Sequence, residues 1–173
     1  MKRLHLILLP VLLLIISVPL RSQEPTPRQH IEADSVIAEA MKYLGTPYKW
    51  GGKTPKGFDC AGFVRYIYGK FGVLLPPSAA PQYKMGIAVN KEELAIGDLV
   101  FFGGRHKSKI IGHVGIVTDV HDGEFDFIHS ATSSGITLTS STEPYYKKRY
   151  IGACRIIGGE EVPATDTITS PLP

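Results

Sequence analysis

The stretch Tyr48-Lys49-Trp50-Gly51-Gly52-Lys53-Thr54-Pro55-Lys56-Gly57-Phe58-Asp59-Cys60-Ala61-Gly62-Phe63-Val64 constrains the fold more than any other part of the chain. Its glycines and proline disfavour a continuous helix or a central strand, so the segment before Cys60 reads as a loop. Directly after it, Phe63, Val64, Ile67 and Phe71 recur at helical spacing, which predicts a helix over about 60–71 with one apolar face to bury. The loop therefore delivers the Cys60 thiol to the first turn of a helix. A helix N-terminus carries a partial positive charge, which is expected to lower the thiol pKa.

The elements around this segment divide by type. Residues 31–44 carry Val36, Ile37, Ala40, Met41 and Leu44 at helical spacing, with Gly45 as a stop. A short helix over 79–85 and a turn over 90–94 follow a Leu74-Leu75-Pro76-Pro77-Ser78 breaker. The second half turns to strands, at about 99–102, 112–117, 124–129, 136–138 and 150–157. The turn His121-Asp122-Gly123 joins the second and third of these into a hairpin. Helices early and strands late predict an α+β domain with an antiparallel sheet.

The 173 residues are read as one domain with appendages. Lys2 and Arg3 precede residues 6–20, of which 12 of 15 are Leu, Ile or Val, and polar Arg21-Ser22-Gln23 follow. This is the pattern of a secretory signal peptide, assigned to residues 1–23. It is short for a membrane span and holds two prolines, so no stable membrane insertion is expected after cleavage. Residues 24–30 read as a linker, 31–157 as the folded domain, and the Thr-, Pro- and Ser-rich 158–173 as a disordered tail. Past Gln23 the chain has 16 basic and 16 acidic residues, which argues against a nucleic-acid partner. The chain has two cysteines, fewer than a disulfide-stapled exported domain commonly carries. Cys154 lies in an apolar strand and reads as a core thiol, so both cysteines are expected to be free.

A cysteine nucleophile needs a base, and the base needs a group that orients it. His113 lies on a strand between the small residues Gly112 and Gly115, and His129 ends the opposing strand of the hairpin. Such a hairpin brings two imidazoles onto one face, expected beside the helix that carries Cys60. One would form an ion pair with the thiol while the other holds the first by its remaining nitrogen. Activity should then fall in acid as both rings charge. His121, in an exposed turn, and His106, in a polar loop over 103–109, are read as surface residues. A zinc site of Cys60, His113 and His129 lacks the paired short ligand spacing such sites share, and neither metal nor cofactor is expected. Asp59 also suits an N-cap. Trp50 is expected to pack beneath the glycine turn, and Asp98 to serve structure.

Four motifs, Tyr48-x-Trp50-Gly51-Gly52, Gly57-Phe58-Asp59-Cys60-x-Gly62-Phe63-Val64, Gly112-His113-Val114-Gly115-Ile116 and Phe127-Ile128-His129-Ser130, together resemble the NlpC-type cell-wall cysteine peptidases. The resemblance covers about 31–157 and implies a papain-like fold, with the nucleophile helix packed on an antiparallel sheet. It implies cleavage of peptidoglycan stem peptides, typically between γ-linked D-glutamate and the diamino acid, often diaminopimelate, through a thioester. By position, Cys60 resembles the nucleophile, His113 the base and His129 the residue orienting it. Tyr48 resembles a substrate-binding tyrosine near the thiol, and Asp59 the acid that binds a free L-alanine amine in some members. Ser78 resembles a polar substrate-site residue. Two positions depart from the pattern. Ala61 stands where serine is common, and Pro77 where arginine is common, and both bear on subsite preference. The expected setting is the periplasm, the cell envelope or the exterior, with peptidoglycan or muropeptides as partner. The alternatives are an envelope amidase or acyltransferase on the same scaffold, or a non-catalytic wall-binding module. The sequence leaves the oligomeric state open.

Overall fold

The computed structural model describes residues 32–104 and 109–157. The expected leader, linker and tail, and His106, lie outside the described residues. No described helix is long and apolar enough to cross a membrane.

Helix α1 (Ala33–Met41) buries Val36 and Ala40. A two-stranded antiparallel ribbon, β1 (Lys53–Thr54) and β2 (Gly57–Phe58), precedes α2 (Cys60–Gly69), and α3 (Ala79–Tyr83) follows it. The remaining strands are β3 (Ile87–Val89), β4 (Leu99–Gly103), β5 (Ile111–His121), β6 (Glu124–Ala131), β7 (Gly135–Ser140) and β8 (Tyr150–Arg155). They form one antiparallel sheet in the order β3-β8-β4-β5-β6-β7. A four-residue helix, α4 (Pro144–Lys147), links β7 to β8. This is the expected α+β architecture, with α2 against the sheet and Cys60 as its first residue. The ribbon β1–β2, the edge strand β3 and α4 went unread because each is too short to show a period.

The sheet separates two cores, as strand alternation requires. On the helix side, Leu99, Phe101, Val114, Ile116 and Ile128 pack with Phe63, Val64 and Ile67 of α2. On the other side, Val100, Phe102, Val117, Phe125 and Phe127 pack together, with Tyr146 and Tyr150 against them. Cys154 is fully buried in the helix-side core, and both cysteines are free. Asp98 is structural: its nearly buried carboxylate takes both Arg155 Nε and Nη2 at 2.8 Å and caps the Ala95 N–H.

Candidate active site

Backbone contacts fix the start of α2. The Asp59 N–H donates to the Gly52 carbonyl at 3.0 Å, and the Asp59 carboxylate caps the helix by accepting from the Gly62 N–H at 2.6 Å. Gly62 has to be glycine: a Cβ there would stand 2.1 Å from the Gly52 carbonyl oxygen. The Ser130 hydroxyl donates to the Phe58 carbonyl at 2.8 Å, tying β6 to the residue before the cap. The loop, the cap and β6 thus converge on Cys60.

The two histidines meet. His113 Nε2 and His129 Nδ1 are 2.9 Å apart, with the rings nearly perpendicular at 87°. The β5–β6 ladder begins at Ile116↔Ile128, which sets Gly115 opposite His129 and His113 on the diagonal. A Cβ on Gly115 would lie 2.6 Å from Phe127 Cδ2 and 3.2 Å from His129 Cβ, so only glycine leaves the imidazole pair its space. His129 Nε2 in turn lies 3.0 Å from Thr139 Oγ1. His129 is fully buried, and His113 is half-buried.

Their face differs from the expected one. The imidazoles share the side of Phe102, Phe127 and Tyr146, whereas Val114, Ile116 and Ile128 face α2. Cys60 itself packs on the helix side, by the stretch of β5 beyond the Ile116↔Ile128 pair. There the Val114 N–H, next in chain to His113, is directed at the Cys60 sulfur, as are the N–H groups of Cys60 and Ala61.

The electrostatics of the free site also correct an expectation. Burial, reinforced by the Asp59 carboxylate, pushes the Cys60 thiol up to about 11, and the three backbone N–H groups pull it down without winning. Burial lowers His113 to about 4; burial and the neighbouring His113 lower His129 to about 3. A raised thiol and lowered imidazoles both work against the expected ion pair in the free site. His113 Nε2 faces His129, which leaves Nδ1 as the nitrogen open to a proton. Proton uptake at Nδ1 requires His113 to donate from Nε2 to His129 Nδ1, and His129 then to donate from Nε2 to the Thr139 hydroxyl.

The other predicted residues fall into place unevenly. Tyr48 is half-buried and feels the Cys60 charge, which adds to burial in raising its phenol. Asp59 is the N-cap, as one of its two readings held. Ser78 is exposed at the start of α3; it is Gln82, further along α3, that reaches α2, donating from Nε2 to the Ala61 carbonyl at 3.0 Å. Trp50 is 88 % exposed, contrary to expectation. It stands at the corner of a turn closed by the Gly52 N–H on the Lys49 carbonyl at 2.8 Å, which points its ring outward. Thr139 and Tyr146 were missed. Thr139 sits among alternating hydroxyl residues of β7 that look like surface. Tyr146 follows Pro144, a helix-start signal, but nothing in the sequence directs its ring at the histidines.

The NlpC/P60 family model matches residues 45–155, which include all of this machinery. The chain belongs to the NlpC/P60 family. It is 42% identical over 123 residues to the Escherichia coli (strain K12) murein DD-endopeptidase MepS/murein LD-carboxypeptidase, covering 70% of this chain and 62% of that protein. It is 33% identical over 168 residues to a Bacillus subtilis (strain 168) gamma-DL-glutamyl hydrolase, covering 96% of this chain and 38% of that protein. A crystal structure of an NlpC/P60 family protein from Bacillus cereus ATCC 10987 superposes with a TM-score of 0.67 at 34% identity, covering 75% of this chain and 42% of that one. The chain thus spans under two thirds of each of these relatives. Its papain-like α+β fold is that of the NlpC/P60 domains.

Proposed function

We propose that this NlpC/P60 domain is an exported cysteine endopeptidase that hydrolyses peptidoglycan stem peptides. The observation that carries the reading is the 2.9 Å bond between His113 and His129 beside a strand whose next N–H faces the Cys60 sulfur. As sulfur attacks the amide carbonyl, the thiol proton passes to His113 Nδ1 and the carbonyl π pair moves to oxygen. The N–H of Cys60, directed at its own sulfur in the free site, stabilises that oxyanion once the sulfur carries the acyl group, aided by Tyr48. Collapse breaks the C–N bond, and His113 returns the proton to the leaving amine. Water then loses a proton to His113, attacks the thioester, and Cys60 regains its hydrogen. His129 and Thr139 hold His113 in the tautomer this needs.

The bond proposed for cleavage joins γ-D-glutamate to the diamino acid. The support is the similarity to the gamma-DL-glutamyl hydrolase over nearly the whole chain. Asp59 lies beside the thiol and suits a cationic substrate terminus, although capping already engages one of its oxygens. The higher identity to a DD-endopeptidase favours a second reading, cleavage of the D,D-crosslink. Defined tri- and tetrapeptide muropeptides and a crosslinked dimer, with and without a free L-alanine amine, decide between them by mass spectrometry. Products ending in γ-D-glutamate support the first reading; separated tetrapeptides with intact stems replace it by the second. Cys60→Ala should abolish hydrolysis, and turnover at the native rate in that variant would refute the mechanism.

A further inference from the structure

We propose that Tyr146 is a positioning residue for the histidine pair, its ring forming the wall that keeps water off His113 and His129. The proposal rests on the catalytic reading above. The Tyr146 ring centroid lies 5.3 Å from that of His129 and 6.1 Å from that of His113. The same ring packs edge-on against Phe102 at 5.2 Å and Phe127 at 5.1 Å, the residues that flank the imidazoles. Helix α4 is only four residues long, but Pro144 fixes its first turn, and the Tyr146 and Lys147 N–H groups both donate to the Glu143 carbonyl, at 3.0 and 2.9 Å. The ring is therefore held by its own backbone and by both core phenylalanines.

What the ring excludes lies on its other side. A cavity of about 170 Å3 is bounded by Phe102, Tyr146 and Tyr150 and by the polar Lys91, Glu124 and Ser141. It is large and polar enough to hold water, and the Tyr150 hydroxyl is buried with no protein partner among the described residues. Tyr146 and Phe102 are thus shared walls between a polar space and the histidine pair. Of the ionisable groups, Tyr146 on α4 stands against both rings, and the two rings stand against each other. From β7 comes the uncharged Thr139, and from β4 the apolar Phe102. Burial lowers His113, and burial with repulsion from His113 lowers His129, so access of water is the variable that Tyr146 controls.

The test is an NMR titration of the histidine rings in a Cys60→Ala background, joined to the pH profile of kcat/KM in the active protein. Tyr146→Leu should raise both imidazole pKa values by roughly one unit or more toward the free histidine value, as rehydration requires. The acid limb of kcat/KM should move up with them. Tyr146→Phe keeps the ring and should leave both titrations in place. If Leu lowers kcat while neither ring titration nor acid limb moves, Tyr146 is structural only and the proposal fails. It also fails if Phe shifts the rings as far as Leu does, since the hydroxyl would then be the active part. Tyr146→Met gives the same comparison should the Leu variant not fold. Undiminished turnover in Cys60→Ala would overturn the catalytic reading instead, while the ring titration would still decide the role of Tyr146.

Discussion

Gly62 and Gly69 lie on the same helix, and the same substitution at each should act with opposite sign. At Gly69 an added Cβ meets nothing within 4 Å, and the residue is exposed. Replacing glycine by alanine there removes unfolded-chain entropy and should stabilise by about 0.5–1 kcal/mol. At Gly62 the new Cβ would lie 2.1 Å from the Gly52 carbonyl oxygen, 3.1 Å from the Gly52 carbonyl carbon and 2.9 Å from Asp59 Oδ1. The first two are backbone atoms and cannot rotate away, so α2 must shift off the loop. Overpacking of that kind costs about 1–3 kcal/mol. The shift also loosens the Asp59 cap on the Gly62 N–H, worth a further ~1 kcal/mol. Together these reach about 2–4 kcal/mol, opposed by at most ~1 kcal/mol of helix propensity. Urea denaturation of the two variants beside the parent measures both effects. The midpoint should rise for Gly69→Ala and fall for Gly62→Ala, and the Gly62 variant should also lose activity because Cys60 moves with the helix start. A Gly62→Ala protein as stable as its parent would refute the claim that the loop backbone seats the helix that begins at Cys60.

Four other outcomes are expected. The acid limb of kcat/KM should lie near pH 4, because burial holds His113, the proposed proton acceptor, near that value; a limb at the ordinary histidine value would show that burial does not govern the site. Stability linked to His129 should be complete above pH 6.5 and decline as pH falls toward about 3, since the unfolded chain takes up the proton first. His129→Asn should flatten that part of the stability profile, and an unchanged slope would contradict this. Asp59→Asn keeps an N-cap while removing the charge that helps raise the thiol, so Cys60 alkylation by iodoacetamide at fixed pH should speed up with less than about 1 kcal/mol lost; an unchanged rate would sink the electrostatic account. Arg155→Ala strands the Asp98 carboxylate, which is 1% exposed, and should cost about 3 kcal/mol by denaturation; a loss under about 1 kcal/mol would mean water already serves that carboxylate.

The long periodic elements were legible because each encodes its own burial. Phe63, Val64 and Ile67 mark the inner face of α2, and Leu99 to Phe102 mark a strand buried on both sides. The glycines of β5 also read correctly as room for a close neighbour, and Gly115 does leave His129 its space. Trp50 misled because an aromatic beside glycines looks like core, whereas its place at a turn corner turns the ring to solvent. The thiol misled for another reason. A helix start favours the thiolate, but the size of the opposing desolvation depends on how the packed chain buries the sulfur, which no local pattern encodes.

By itself, the order of residues determined which side chains are the candidates for the chemistry: one thiol at the start of a helix, and two imidazoles on the paired strands of a hairpin. It did so because capping, glycine turns and strand alternation are local properties. Only the tertiary structure decided how those groups behave. The meeting of His113 with His129, the seat of Thr139 behind His129, the Tyr146 ring over the pair and the burial that raises the thiol and lowers the imidazoles all arise from contacts between distant segments, and hydration and proximity are properties of the packed molecule.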